Sequence, residues 1–257
     1  MRGMKISFVI PAYNEERFIG NCLRSVLERI TQAGTDNEII IVNNASTDKT
    51  KEIAAAFPGV LVVDEPRKGL SRARQAGYQA SSGDLIANID ADSMLPPGWI
   101  QTVVAQFSDN PDLVALSGPQ VFYDVPPAVR YWTRVFYGVS FCAYVFNRFI
   151  LRTASFLQGG NFVIRRSALN TIGGYNTNFE FYGEDADIAR RLHKIGDVEF
   201  TFKLPIYASG RRVMTEGKFT MAWRYGINYV WTILLHRPFT KTVVDVRVTA
   251  AKNKEIV

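Results

Sequence analysis

Residues 84–95 read DLIANIDADSML, an apolar run that delivers two aspartates, Asp90 and Asp92, at its end. Aspartates so placed serve turns, because their carboxylates bond nearby backbone amides. They also hold hard cations, since Mg²⁺ takes one or two carboxylates plus phosphate oxygens. An EF-hand loop is excluded. Counting from Asp90, Leu95 stands where the loop needs Gly and Gln101 where it needs Glu. The two remaining readings are separated by what lies around the run.

Upstream, apolar runs of strand length alternate with helical stretches. KISFVIPAY (5–13), EIIIVNN (38–44) and VLVVDE (60–65) read as buried strands, and DLIANID is the fourth. Between them, Phe18, Ile19, Cys22, Leu23, Val26, Leu27 and Ile30 recur at helical spacing, with Asn14 as the expected N-cap. STDKTKEIAAAF is a second helix, capped by Ser46 or Thr47, and GLSRARQAGYQAS (69–81) a third. Alternation of this kind predicts an α/β fold, a mostly parallel sheet flanked by helices. Ligands of such sheets bind beyond the carboxyl ends of the strands. That edge carries Tyr13–Glu15, Asn43–Asn44, Arg67–Lys68 and Asp90–Asp92.

The second half is less regular. PPGWIQTVVAQF predicts a helix, LVALSGPQVF one strand, FLQGGNFVIRRSAL a strand with a glycine pair, and GEDADIARRLHKIG a helix stopped by Gly196. One domain over 1–210 is expected, with a regular half (1–95) and a less regular half (96–210), followed by a helical extension over 211–257.

Of the 257 residues 47% are hydrophobic, enough for a real core. The net charge of +6 is uneven: from Arg130 onward acids thin out, and Arg and Lys mix with aromatics. A basic surface suits phosphate-bearing partners. Nucleic acid is not expected among them, because neither Cys/His finger spacing nor an RNP-like strand is present. Cys22 and Cys142 lie far apart in apolar surroundings, which speaks against a disulfide scaffold or a Cys-based metal site and fits a reducing, cytoplasmic setting. The apolar run at the N-terminus is too short for a signal peptide.

Taken together, FVIPAYNEE, EIIIVNNASTDKT, GLSRARQAG, GDLIANIDADSMLPPGW and GGYNTNFEFYGEDADIARRL resemble the family 2 glycosyltransferases, which have a GT-A fold. The likeness spans roughly residues 4–195 in the family's order. It implies transfer of a sugar from a nucleoside-diphosphate-sugar donor to an acceptor, usually with inversion. By resemblance, Pro11, Ala12, Tyr13 and Glu15 belong to the nucleoside segment, Tyr13 offering a flat face and Glu15 an acceptor. Asp92 binds a divalent cation, Mn²⁺ or Mg²⁺, on the diphosphate. Asp90 bonds the ribose or a metal-bound water, with Ala91 between them along the nucleotide. Where the family commonly ends its second strand in two aspartates, this chain has Asn43 and Asn44. An amide in place of a carboxylate at Asn44 changes the contact with the base and leaves the base open. Asp48 is expected to cap the following helix.

Of the acid pair Glu184-Asp185, the resemblance makes Asp185 the general base. Glu184 stays open between chemistry and acceptor contact, and Asp187 serves the helix start. A helix N-terminus depresses a carboxylate pKa, so burial or neighbouring acids must offset it for Asp185 to act as a base. Lys68, Arg72 and Arg74 meet phosphates or form a solvated basic face. Gly159 and Gly160 let backbone approach the donor sugar or mark a bulge. Arg211 and Arg212 are a second phosphate clamp. His193 and His236 have no ligand role. The reading requires residues 92 and 185 to share one cavity.

Residues 131–152 and 221–239 mix Arg with Trp, Tyr and Phe but are too short in uncharged length to span a bilayer. They read either as interfacial helices, implying a lipid-linked acceptor and the inner membrane face, or as core or homodimer helices with snorkelling arginines. Two rivals remain: a non-catalytic nucleotide-sugar-binding subunit, and a sugar-nucleotide pyrophosphorylase. The latter wants a Gly-rich loop where this chain has AYNEERF.

Overall fold

The computed structural model describes residues 4–146, 156–240 and 245–246. Its spine is a seven-stranded sheet in the order β3-β2-β1-β4-β8-β6-β9. The first four strands are β1 (Ile6–Ala12), β2 (Glu38–Asn43), β3 (Val60–Asp64) and β4 (Leu85–Ile89), all parallel. They alternate with α1 (Ile19–Ala33), α2 (Thr50–Ala55) and α3 (Leu70–Ala80), as the apolar periodicity predicts. From β1 the chain goes to β2 and β3 on one side and returns to β4 on the other. The order therefore reverses between β1 and β4, which opens a crevice at their carboxyl ends. Ser7 to Ala12 pair with Glu38 to Asn43, and Ile6 to Val9 with Leu85 to Asn88, so the segments after Ala12 and Ile89 emerge side by side.

Beyond β4 come the short β5 (Ser93–Met94), α4 (Trp99–Asp109), β6 (Leu113–Ser117) and β7 (Gln120–Phe122). LVALSGPQVF is thus two strands in different sheets rather than one. The break falls at Gly118-Pro119, where the buried Asn161 amide donates to Gly118 O at 3.0 Å and Leu204 O at 2.8 Å and pins the crossing. After α5 (Pro127–Phe146), β8 (Asn161–Arg165) runs antiparallel between β4 and β6 and leads directly into α6 (Arg166–Thr171). Next are α7 (Glu184–Leu192), β9 (Asp197–Phe200) and β10 (Ile206–Ala208), which sits between β5 and β7 in a three-stranded second sheet. Two helices, α8 (Arg211–Glu216) and α9 (Lys218–Leu235), close the described chain.

Several boundaries differ from expectation. Asn14 does not cap α1, which starts at Ile19 without an acid in its first turn. Asn14 has φ 52°, and its Oδ1 accepts from Thr47 N at 2.8 Å, tying the β1 and β2 loops together. Neither Ser46 nor Thr47 opens α2. Asp48 Oδ1 instead accepts from the amide of Thr50, its first residue, at 3.0 Å. Gly196 is not the stop of α7, which ends at Leu192.

Two apolar layers enclose the sheet. On one face α1 and α4 pack Leu23, Val26, Trp99 and Phe107 against Phe8 and Ile10. On the other, α3, α6 and α7 bring Ala73, Leu169 and Ile188 onto Val9, Ile86 and Phe162. Fully burying one such side chain is worth about 1.5–3 kcal/mol. The carboxyl edge, where packing ends, is left to polar residues.

Candidate active site

At that edge lies a cavity of 540 Å³. The end of β1 supplies Pro11 and Glu15, α3 supplies Arg74, and the turn after β4 supplies Asp90, Ala91 and Asp92. Gly159 enters from the loop before β8, Glu184 and Asp185 from the first turn of α7, and Arg211 and Arg212 from α8. Both carboxylate motifs of the sequence therefore open into the same space.

The glycine pair stands between them. Gly160 has φ 78°, and a Cβ there would overlap the Asp90 carboxylate. A Cβ on Gly159 would lie 3.4 Å from Asp185 Oδ2 and 3.8 Å from Glu184 Oε1. Gly183, with φ 79°, turns the chain into α7 where a side chain would collide with Thr232 of α9.

Arg74 ties the two motifs together from below. It is fully buried, donates to Glu184 Oε1, holds Asp90 Oδ1 at 3.6 Å and lies 4.9 Å above the Phe162 ring. It is neither a solvated surface charge nor free to leave the wall. Burial pushes the Glu184 carboxyl up to about 7 against the pull of Arg74, and Asp185 adds to the rise. Burial also raises Asp185, against the Ala186 amide that donates to its Oδ1 at 2.9 Å. The depression expected at a helix start is thus overridden by desolvation. Asp187 sits apart, paired with Arg190 at 3.0 Å and Arg191 at 2.8 Å.

On the opposite wall, Arg211 Nη2 lies 2.6 Å from Glu15 Oε1 and 2.9 Å from Asp92 Oδ2. Arg212 is drawn to Glu216 at 2.7 Å. Among the described residues no group of three His, Cys, Asp or Glu side chains is set to hold a metal. Asp92 and Asp90 still fit a divalent cation of the kind whose shell phosphate oxygens complete, being hard oxygen donors. Asp92 and Glu15 converge on the one positive group of Arg211, while Asp90 lies 3.6 Å from Arg74.

Five of the candidate residues do not line the cavity: Ala12, Tyr13, Asn44, Lys68 and Gly160, the last of which lies behind the Asp90 carboxylate. Ala12 is buried in the strand. Lys68 Nζ lies 4.2 Å above the Tyr13 ring and donates to its hydroxyl at 2.5 Å, which covers one face of Tyr13. Asn44 is spent on structure. Its Nδ2 donates to Glu65 O at 2.9 Å and Arg67 O at 2.8 Å, and its Oδ1 accepts from Gly69 N at 2.9 Å. These bonds hold Asn44 against the 65–69 segment, outside the cavity lining. Arg72 turns back to Lys68 O at 3.1 Å. His193 and His236 lie outside the cavity lining.

Beyond the acid pair the cavity continues between α5 and α9 over aromatic side chains, among them Trp132, Phe136, Tyr137, Tyr225 and Tyr229. None was singled out in the sequence. The signal was there: Trp132, Phe136 and Tyr144, like Tyr225 and Tyr229, are spaced by multiples of four along their helices.

The family model described as glycosyl transferase family 2 matches residues 7–173, well over half of the chain. One described as the N-terminal domain of galactosyltransferase matches 143–216. A glucosyl-dolichyl phosphate glucuronosyltransferase of Haloferax volcanii is 28% identical over 181 residues, 68% of this chain and 57% of that protein. An undecaprenyl-phosphate 4-deoxy-4-formamido-L-arabinose transferase of Enterobacter sp. is 34% identical over 116 residues, 43% of this chain and 36% of the relative. The chain thus spans less than two thirds of the length of either. Among solved structures, glucosyl-3-phosphoglycerate synthase from Mycobacterium tuberculosis, in complex with Mn²⁺ and UDP-glucose, superposes with a TM-score of 0.58 at 22% identity, over 90% of this chain and 79% of the other. TarS of S. aureus gives 0.61 at 15% identity, over 88% of this chain and 43% of that one. At those identities the structures speak for a shared fold, while the family match speaks for descent. The chain belongs to glycosyl transferase family 2.

Proposed function

We propose that this chain transfers a sugar from a nucleoside-diphosphate-sugar to an acceptor hydroxyl or lipid phosphate, with inversion and with a divalent cation at Asp92. One observation carries the reading: Asp90 and Asp92 face Glu184 and Asp185 across one cavity, with Gly159 and Gly160 between them. Pro11, Glu15 and Ala91 border the nucleotide side. The backbone at Gly159–Gly160 leaves room for the sugar against Asp90. A cation held by Asp92, with Asp90 behind it, would neutralise charge growing on the departing diphosphate. Asp185 takes the proton from the acceptor as it attacks in line, and its raised pKa makes it the better base. Glu184 stays against Arg74 and shapes the acceptor side.

The base is tested by thermal shift with UDP, GDP, CMP and dTDP compounds, with and without Mn²⁺. A rise with one diphosphate series that depends on the cation is expected, together with slow cation-dependent hydrolysis of the matching sugar donor. Binding with no hydrolysis or transfer would instead make the chain a non-catalytic nucleotide-sugar-binding subunit.

A lipid-linked acceptor is favoured by the outer faces of α5 and α9. Phe219 and Trp223 are 73% and 72% exposed, and Val230 and Leu234 continue the same stripe of α9. Tyr131, Val135 and Val139 do the same on α5, while both inner faces line the cavity. No helix among the described residues is long and apolar enough to cross a membrane. Between Asp124 and Glu180 the sequence has no acidic residue, nor has it one between Glu216 and Asp245. An apolar face in a basic surround suits the surface of an anionic bilayer. Arg148 and Arg152, which flank the first segment in sequence, lie outside the described residues. Flotation with anionic vesicles at low salt should carry the protein upward, and Trp223→Ser with Phe219→Ser should leave most of it behind. A concentration-dependent dimer with no vesicle binding would give the face to a second copy of the chain.

A further inference from the structure

Arg211 opens α8, yet its guanidinium reaches the far wall of the cavity and lies against Glu15 and Asp92 at 2.6 and 2.9 Å, with the Phe18 ring 4.8 Å away. Asp92 is the carboxylate that a cation on the donor diphosphate would need. A guanidinium nitrogen and a metal ion cannot both sit at contact distance from it without strong like-charge repulsion. We infer that Arg211 is a built-in cation that holds Asp92 and Glu15 before the donor arrives, and that metal and nucleotide must come together to displace it.

The inference rests on the proposed cation site and adds an order of events. With no donor present, a lone metal ion competes with a tethered arginine at very high effective concentration and binds weakly. A diphosphate changes the balance, because its oxygens give both the metal and Arg211 new anionic partners, and an arginine fork matches phosphate oxygens. Arg211 can follow the donor without leaving the cavity. Metal and nucleotide binding are therefore positively coupled through this side chain, each raising the affinity for the other by the same factor. The exchange also bears on the acceptor side. Arg211 is the first residue of α8, and α8 leads through Gly217 into α9, which places Tyr225 and Tyr229 in the cavity. Loading the donor thus draws on the segment that shapes the acceptor entrance. Arg211 acts here as a positioning residue.

The test reads Mn²⁺ binding directly, from loss of the free-ion electron paramagnetic resonance signal, in the whole chain with and without UDP or GDP. The wild type should bind Mn²⁺ alone poorly and should bind it at least about tenfold more tightly with a matching diphosphate, beyond the affinity of the diphosphate itself for Mn²⁺. Arg211→Gln should bind Mn²⁺ alone about tenfold more tightly than the wild type, with the coupling to nucleotide reduced. Arg211→Lys keeps the charge but carries it on a shorter side chain without the planar fork, and should fall between. Should the glutamine variant fail to fold, a lysine variant that binds lone Mn²⁺ no more tightly than the wild type would overturn the inference. An unchanged affinity for lone Mn²⁺ in a folded glutamine variant would do so too. If the wild type bound no Mn²⁺ with any diphosphate, and Asp92→Asn changed nothing, the cation site itself would fall and the inference with it.

Discussion

Asp185→Asn is expected to melt like the wild type and to lose about 10²–10⁴-fold in kcat, the usual contribution of a general base. The fold should tolerate the change because Arg74 spends its guanidinium on Glu184 and Asp90, and among the described residues no ion pair reaches Asp185. The amides of Ala186, of Gly159 and its own bond the carboxylate, and at Oδ1 an asparagine oxygen accepts from the Ala186 amide equally well. What asparagine loses is the capacity to take a proton. Burial raises the Asp185 carboxyl above its ordinary 3.8, so the base form is depleted earlier as pH falls. The acid limb of the kcat profile should lie above the range of an exposed aspartate, with activity dropping as pH falls through it. In the variant that limb should vanish along with most of the rate. Nucleoside diphosphate release, followed across pH with donor and acceptor saturating, measures both. Near-wild-type turnover, or an unchanged acid limb in a crippled variant, would move the role to another group.

The first half of the molecule was legible because its signals are local. Apolar runs of strand length alternate with helical periodicity, and the parallel sheet follows with the carboxyl edge as the ligand side. Asp90 and Asp92 followed from their place at the end of the fourth strand, whereas Glu184 and Asp185 followed from the resemblance to the family. Long-range pairing was not legible. Nothing in RKGLSRARQAG separates Arg72, folded back on its own helix, from Arg74, buried against an acid 110 residues away. The difference is one of helix face, and the partner Glu184 lies beyond the irregular half of the chain. The three hydrogen bonds from Asn44 to the 65–69 segment likewise show only in three dimensions. The cut between a transferase domain and an extension at residue 210 followed the end of strand-like sequence. In space, α8 and α9 complete the cavity, with Arg211 on Asp92 and Tyr225 beyond the acid pair.

Arg74→Met should be the most costly single change to stability at this site, about 3–5 kcal/mol at pH 8, because it strands a buried carboxylate. Arg74 is 1% exposed and Glu184 6%, so water cannot replace the lost partner. Glu184 Oε2 already has no hydrogen-bond partner among the described residues, so the pair has little reserve. The pH dependence follows in sign. Burial places the folded-state Glu184 near 7, above its ordinary 4.5, so between those values the folded chain holds more protons than the unfolded one. Stability from this group therefore falls as pH rises through the window. Losing Arg74 removes the one strong pull downward and sends Glu184 higher, so the variant should recover part of its deficit near pH 5.5, where the carboxyl is neutral. Arg74→Met combined with Glu184→Gln removes both charges and should regain most of the loss at pH 8, with the pH difference largely gone. Such non-additivity is the signature of a coupled buried pair and not of two independent packing contacts. Urea denaturation midpoints at about pH 5.5 and 8 for the wild type, both single variants and the double variant decide it. Equal deficits at the two pH values, or a double variant no better than the worse single one, would show that the link between α3 and α7 is packing alone.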